Sequence, residues 1–152
     1  MKSLNWKKAI TAGVLGTLLF DITGLLFTGH WWDIPSLLGQ KTGLGFVYGI
    51  FGHYGNGILL AILYSAIAPH LWGPKWIRPL IFVTAETIAL VWLFMLPLLG
   101  AGVAGINQSP MTPVVTLIRH FAFALPLIFW VNQELITSPK QAKAAKDISP
   151  NI

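Results

Sequence analysis

The sequence predicts an all-α integral membrane protein that folds as a four-helix bundle, and two observations carry this prediction. Of the 152 residues, 55% are hydrophobic and only 10% are charged, whereas about a quarter of a soluble domain is normally charged. The apolar residues also form four segments that can each cross about 30 Å of hydrocarbon, at about 9–29, 43–68, 79–100 and 113–133. We expect a single membrane domain over residues 1–135 and a polar, lysine-rich cytoplasmic tail over 136–152.

Basic residues predict the orientation of the spans, because Lys and Arg collect in the cytoplasmic loops of membrane proteins. Eight of them precede the first span, lie between the second and third, or follow the fourth: Lys2, Lys7, Lys8, Lys75, Arg78, Lys140, Lys143 and Lys146. The linkers on the other side contain only Lys41. We therefore expect a multi-pass protein of the bacterial inner (plasma) membrane with both termini in the cytoplasm. The net charge of +5 reflects this asymmetry and does not predict nucleic-acid binding.

The first span begins like a secretory signal peptide, with Lys7 and Lys8 ahead of an apolar run. Asp21 interrupts that run, no A-x-A site follows, and the segment is long enough to cross a bilayer. We therefore expect it to be retained as a transmembrane helix. The chain has no cysteine, which excludes disulfides and thiolate chemistry.

The linker at 30–42 is too apolar for a solvated loop and too short to cross the membrane. It predicts a short interfacial or re-entrant helix, which Asp33 is suited to cap and which has Pro35 in its first turn. The linker at 69–78 contains prolines and predicts a tight turn. The linker at 101–112 is rich in small residues and predicts an external loop.

Small residues recur at every fourth position of the second span, with one histidine among them: Gly45, Gly49, His53, Gly57, Ala61 and Ser65. Residues at i and i+4 share a helix face, and small side chains allow membrane helices to approach closely. We therefore expect this face, and His53 with it, to pack against another helix.

A faint internal duplication divides the chain into two helix pairs. Asp21 precedes His53 by 32 residues, and Glu86 precedes His120 by 34. Each half would then be a helix with an acid followed by a helix with a histidine, and the two histidines would lie at similar depth.

Five ionisable residues lie within the predicted spans, and each is costly there: about 2.5–3.5 kcal/mol for an Asp, Lys or Arg at the centre of a helix. They are Asp21, His53, Glu86, Arg119 and His120. A purely structural interpretation has Asp21 hydrogen-bonded to a histidine or a hydroxyl. In the same interpretation Arg119 and Glu86 extend to the outer and inner membrane interfaces.

Three functional interpretations use the same residues. His53 and His120 could be the two axial ligands of a b-type haem, with Arg119 neutralising a propionate; a quinone site is a related alternative. Asp21, Glu86 and the two histidines could be protonated and deprotonated along a proton or ion pathway, within one chain or across a homodimer. A di-metal carboxylate site is disfavoured, because it uses Glu-x-x-His on one helix.

Several landmarks resemble those of an uncharacterised family of small bacterial four-span inner-membrane proteins, over roughly residues 10–132. They are Asp33-Ile34-Pro35 with Leu37-Leu38-Gly39, the His53-Gly57-Tyr64 pattern, Pro97-Leu98-Leu99-Gly100-Ala101-Gly102, and His120. The resemblance implies a four-helix inner-membrane fold and supplies no catalytic residues. The chain departs from the family pattern at Ala124, where that pattern has glycine.

No nucleotide-binding loop, nucleophile elbow or HExxH motif is present in the sequence, so we expect no catalytic residues. The small extramembrane mass favours a non-catalytic accessory subunit of a larger membrane complex. The alternatives are an electron-transfer subunit that binds haem or quinone through His53 and His120, and a small proton-coupled transporter that uses Asp21.

Overall fold

The computed structural model describes residues 4–131, and this part of the chain is an all-α bundle without strands. Five helices follow one another along the chain: α1 (Trp6–Thr28), α2 (Asp33–Thr42), α3 (Gly45–Ile67), α4 (Arg78–Leu98) and α5 (Thr112–Val131). A 3-10 turn at Ala68–His70 extends α3, and another at Val103–Gly105 lies between α4 and α5. The predicted lysine-rich tail falls outside the described residues.

All helices except α2 are long and apolar enough to cross a membrane, with mean hydropathies between 1.4 and 2.0. Their ends lie within a few residues of the spans that the sequence predicts. Large apolar side chains such as Leu26, Phe51 and Leu98 are exposed on the outside of the bundle, where a soluble protein would place polar groups. The all-α four-helix class is confirmed, and the composition of the helices suggests a multi-pass membrane protein.

Helix α1 is central, because it packs against both α3 and α5, and α4 packs on the other side of α5. The small-residue face predicted for α3 lies in the contact with α1. A Cβ atom on Gly13 would lie 2.6 Å from Ile58 Cα, and one on Gly57 would collide with the Thr17 hydroxyl. The prediction that this face of α3 packs against another helix is therefore confirmed.

Helix α2 confirms the short helix predicted between the first two spans, and it lies along the first half of α3. Gly39 and Gly49 allow this contact, since a Cβ on either would collide with backbone of the other helix. Pro35 is in the first turn as predicted, but the capping position is held by Trp32, whose φ is 56°. Asp33 is already helical, and its Oδ1 accepts a hydrogen bond from the Ile34 amide at 2.8 Å.

Helices α3 and α4 make few direct contacts, and their main meeting point is at the end of α3, where the Tyr64 and Phe82 rings pack with centroids 5.4 Å apart. Helix α4 also changes its winding: Arg78–Glu86 is α-helical, and Thr87–Met95 is a π-helix. π-Helical turns are rare and occur frequently at functional sites. A cleft is left between α3 and the π-helical part of α4.

Candidate functional site

Phe20 of α1 is the centre around which the predicted ionisable residues meet. Its ring centroid lies 5.4 Å from that of His53 and 5.0 Å from that of His120. The guanidinium carbon of Arg119 lies 4.2 Å from the same centroid, a cation–π distance. Residues separated by up to a hundred positions along the chain therefore form one buried cluster.

The first acid–histidine pair joins α1 to α3. The Nε2 atom of His53 lies 2.9 Å from Asp21 Oδ1, and the carboxylate is almost completely buried. The Tyr54 side chain lies beside the same carboxylate. The prediction that Asp21 hydrogen-bonds a histidine is confirmed, and the partner is the one that the duplication predicts.

The second acid–histidine pair joins α4 to α5. His120 Nδ1 lies 2.7 Å from the Thr116 carbonyl oxygen; because a carbonyl can only accept, this nitrogen must carry a hydrogen. The other ring nitrogen, Nε2, faces Glu86 Oε2 at 3.4 Å, close enough for an ion pair but longer than a good hydrogen bond. Without a proton between them, the lone pairs of His120 Nε2 and Glu86 Oε2 would repel each other. The contact is therefore attractive when one proton is shared between these two atoms.

Glu86 does not extend to the inner interface, and that prediction is wrong. The residue is only 8% exposed, because it is the last α-helical residue before the π-helix and faces His120 of α5. The outcome is a second acid–histidine pair of the same order as the first, as the internal duplication predicts.

Arg119 does not extend to the outer interface either, because α2 supplies a carboxylate inside the protein. Its Nη1 and Nη2 atoms donate to Asp33 Oδ2 and Oδ1, both at 2.7 Å, in the bidentate geometry of strong arginine–carboxylate pairs. Gly24 makes this possible, since a Cβ at that position would collide with the guanidinium. Arg119 is only 3% exposed, so the interpretation in which it extends to the outer interface is wrong.

The cluster does not fit a bis-histidine haem. Two axial ligands need imidazole nitrogens that face each other across the iron, but Nε2 of His53 faces Asp21 and the Phe20 ring packs against both imidazoles. Arg119, the expected partner of a propionate, is held by Asp33. Within residues 4–131, no group of three or more His, Asp or Glu side chains is arranged to hold a metal ion.

A cavity of about 110 Å³ lies against this cluster. His53, Glu86, Arg119 and His120 form its polar end, and Ile34, Leu37 and Leu38 of α2 line another side. The remaining wall is mostly apolar and consists of residues from α3, α4, the segment after α4, and α5: Leu60, Val91, Met95, Leu96, Leu99 and Phe123. Asp21 is not among the residues that line the cavity, so the first acid–histidine pair borders it through His53 alone and the second through both of its members.

The cluster carries a surplus of acidic groups. Among the described residues it contains three carboxylates, of Asp21, Asp33 and Glu86, but one permanently charged cation, Arg119. The pair of Asp33 and Arg119 is neutral. Each remaining carboxylate is neutralised only when its pair with histidine holds a proton or when another cation is nearby.

Sequence reasoning missed three members of the site. Asp33 was expected only as a helix cap, although Arg119 needs an anion and Asp33 is the one acid in the outer linkers. Phe20 has no sequence signal that separates it from other apolar residues. The third is Thr116, whose hydroxyl accepts a hydrogen bond from Trp92 Nε1 at 2.8 Å. This bond explains why Trp92 lies inside a span, since it satisfies the indole N–H there.

Comparison of the chain with known proteins finds no matching family model, curated protein or solved structure. The resemblance to the uncharacterised four-span family therefore stays a prediction.

Proposed function

We propose that this chain is a small proton-coupled transporter of the bacterial inner membrane. One observation carries the proposal: two carboxylate–histidine pairs lie inside the bundle with both imidazoles against Phe20, and both pairs contribute side chains to the border of one cavity. Ionisable residues inside a membrane bundle commonly form proton relays. Histidine is suited to this role because its ordinary pKa lies near neutral pH.

The arrangement supports proton handling better than a purely structural role. A structural polar pair is most stable when both groups are sealed and fully hydrogen-bonded. Neither pair reaches that state: Asp21 Oδ2 and Glu86 Oε2 are buried without a hydrogen-bond partner among residues 4–131. Glu86 and His120 are furthest from it, since they are 3.4 Å apart and both border the cavity. A pair with this geometry can gain or lose a proton as the contents of the cavity change.

Both termini are proposed to be cytoplasmic, as the loop charges predict. Helices α3 and α5 would then run from the outside inwards, and each histidine is the ninth residue of its helix. At 1.5 Å per residue, both imidazoles lie about 12 Å below the start of the helix. The proton-handling groups would thus share one depth, slightly outside the middle of a bilayer about 30 Å thick.

The accessory-subunit hypothesis stays a prediction, and it makes no use of the cavity. An electron-transfer role would need a redox group, and the two histidines already face carboxylates. Transport requires a ligand cavity, titratable groups that border it and a route into it, and the described residues offer a candidate for each of these. We therefore favour transport over both alternatives.

Proton flux into proteoliposomes that contain the full chain tests this proposal. A trapped pH-sensitive dye reports acidification after an external acid jump, with potassium and valinomycin balancing the charge. The protein is expected to accelerate acidification over protein-free vesicles, and Asp21→Asn and Glu86→Gln to reduce this flux about tenfold or more. Ser65→Ala is the matched control, because within residues 4–131 the Ser65 hydroxyl donates only to the Ala61 carbonyl of its own helix.

Two results would overturn the proposal. One is a wild-type flux equal to that of empty vesicles, and the other is an accelerated flux that the double variant of Asp21 and Glu86 retains.

A further inference from the structure

We propose that the cavity binds a protonated amphiphilic amine, whose ammonium group binds Glu86 and displaces the proton that Glu86 shares with His120. This inference rests on the proposed transport function and names its substrate class. It is carried by three features of the cavity: an unsatisfied carboxylate oxygen, the local charge, and the apolar walls.

The Oε2 atom of the Glu86 carboxylate has no close hydrogen-bond donor. The Glu86 side chain is only 6% exposed, and Oε2 has no hydrogen-bond partner among residues 4–131 although it faces His120 at 3.4 Å. Glu86 also borders the cavity. A proton shared across a 3.4 Å contact satisfies the carboxylate poorly, so an ammonium N–H that enters the cavity can replace that proton with a closer donor.

The charges around Glu86 favour one added cation. Asp33 of α2 and Arg119 of α5 neutralise each other, and Asp21 of α1 lies behind Phe20 in its own pair with His53 of α3. The Tyr54 hydroxyl of α3 is neutral and lies beside Asp21. His120 of α5 is thus the group that shares a proton with Glu86.

The exchange is balanced in charge and atoms. Before binding, Glu86 and His120 hold one proton between them; after binding, the carboxylate is ionised, His120 is neutral and the ammonium replaces the proton. One proton leaves for each amine that binds. The only covalent bond broken is the one that holds the shared proton on Glu86 or His120, and the released proton forms a bond to water.

The walls suit the apolar tail of such an amine. From Glu86 the cavity is bordered by Leu60 of α3 and by Val91 and Met95 in the π-helix of α4. Since α3 and α4 make few contacts beyond Tyr64 and Phe82, we infer that the opening through which an amine enters lies between these two helices. In a bilayer this opening faces lipid, where amphiphilic amines concentrate.

Calorimetric titration of the purified full chain with octylammonium tests the inference, with released protons counted by a pH indicator in weak buffer. We expect one proton released per amine, and affinity that rises about tenfold per pH unit where the pair is protonated. Glu86→Gln should weaken binding at least tenfold and abolish proton release, whereas Ser65→Ala should change neither. Octanol, which has the same tail without charge, should bind at least tenfold more weakly.

Three results would overturn the inference: no saturable binding, equal binding of octanol, or wild-type affinity that does not change with pH. The last test needs no variant, so it decides the matter even if Glu86→Gln does not fold. Octyltrimethylammonium, which has charge but no N–H, should bind more weakly than octylammonium, and equal affinity would contradict the role of the Oε2 acceptor. Amine binding without proton flux refutes the transport proposal alone, and flux dependent on Asp21 and Glu86 without amine binding refutes this inference alone.

Discussion

Removing Asp33 from its ion pair with Arg119 should lower the free energy of unfolding more than removing Arg119 does. The Arg119 side chain is 4% exposed and the Asp33 side chain is 23% exposed. Replacing Asp33 by leucine leaves a guanidinium buried without its counterion, and losses of this kind are about 3–5 kcal/mol. Replacing Arg119 by leucine leaves a carboxylate that solvent still reaches, so we expect a smaller loss of about 1–2 kcal/mol.

The double replacement should be less harmful than Asp33→Leu alone. Both charges are then absent, and removal of a complete buried ion pair in favour of apolar side chains is often close to neutral. With single losses of about 3–5 and 1–2 kcal/mol and a double variant close to neutral, the double-mutant cycle predicts a coupling free energy of about 4–7 kcal/mol. This exceeds the usual range for residues that share one interaction, because Asp33→Leu alone leaves an uncompensated buried charge. The ion pair would thus fix the position of α2 against α5 while adding little net free energy to the stability of the fold.

Reversible unfolding in mixed micelles of a mild detergent and sodium dodecyl sulfate measures these free energies. Circular dichroism follows the helices, and the four proteins are compared at one detergent composition. The control is Lys41→Gln, since Lys41 Nζ reaches only the Leu99 carbonyl at 3.4 Å, and its change should stay within about 0.5 kcal/mol. Additive losses in the double variant, or a greater loss from Arg119→Leu than from Asp33→Leu, would refute the reasoning.

Two further predictions follow from the packing of α3 and from the cluster around Phe20. Gly57→Ala should lower the free energy of unfolding by about 1–3 kcal/mol, because the added Cβ would collide with Thr17. Gly55→Ala is the control and should be neutral or slightly stabilising, since no described heavy atom lies within 4 Å of its added Cβ. Equal losses for the two variants in the same unfolding assay would contradict the packing of α3 on α1. The dithionite-reduced spectrum of the purified protein should show no bis-histidine haem bands, and bands lost together in His53→Ala and His120→Ala would show that the cluster rearranges around haem.

The four spans and the face of α3 could be predicted because they depend on local composition and on helical spacing. Glycine at every fourth position is informative whatever the partner helix is. The acid–histidine pairs were also accessible, because the duplication places Asp21 before His53 and Glu86 before His120 at nearly equal separations. Both pairs are present in the structure.

The partner of Arg119 and the cleft could not be derived in the same way. Asp33 is 86 residues away along the chain, and its contact depends on where α2 folds back against the bundle. The cleft depends on the divergence of two helices, which a hydrophobic pattern does not encode. The π-helix that begins after Glu86 likewise arises in a run of apolar residues with no distinguishing motif, so the sequence predicts only an ordinary span there.

The two acid–histidine pairs occupy matching positions but are not equivalent, and this difference bears on mechanism. The first joins helices that glycines bring into close contact, its atoms reach hydrogen-bond distance, and it borders the cavity through His53 but not through Asp21. The second joins α5 to α4 just before the π-helix, remains at 3.4 Å and borders the cavity. If proton movement and ligand binding are coupled, the second pair must respond to the ligand directly. The first can respond through His53, which also borders the cavity, or through Phe20, which both imidazoles contact.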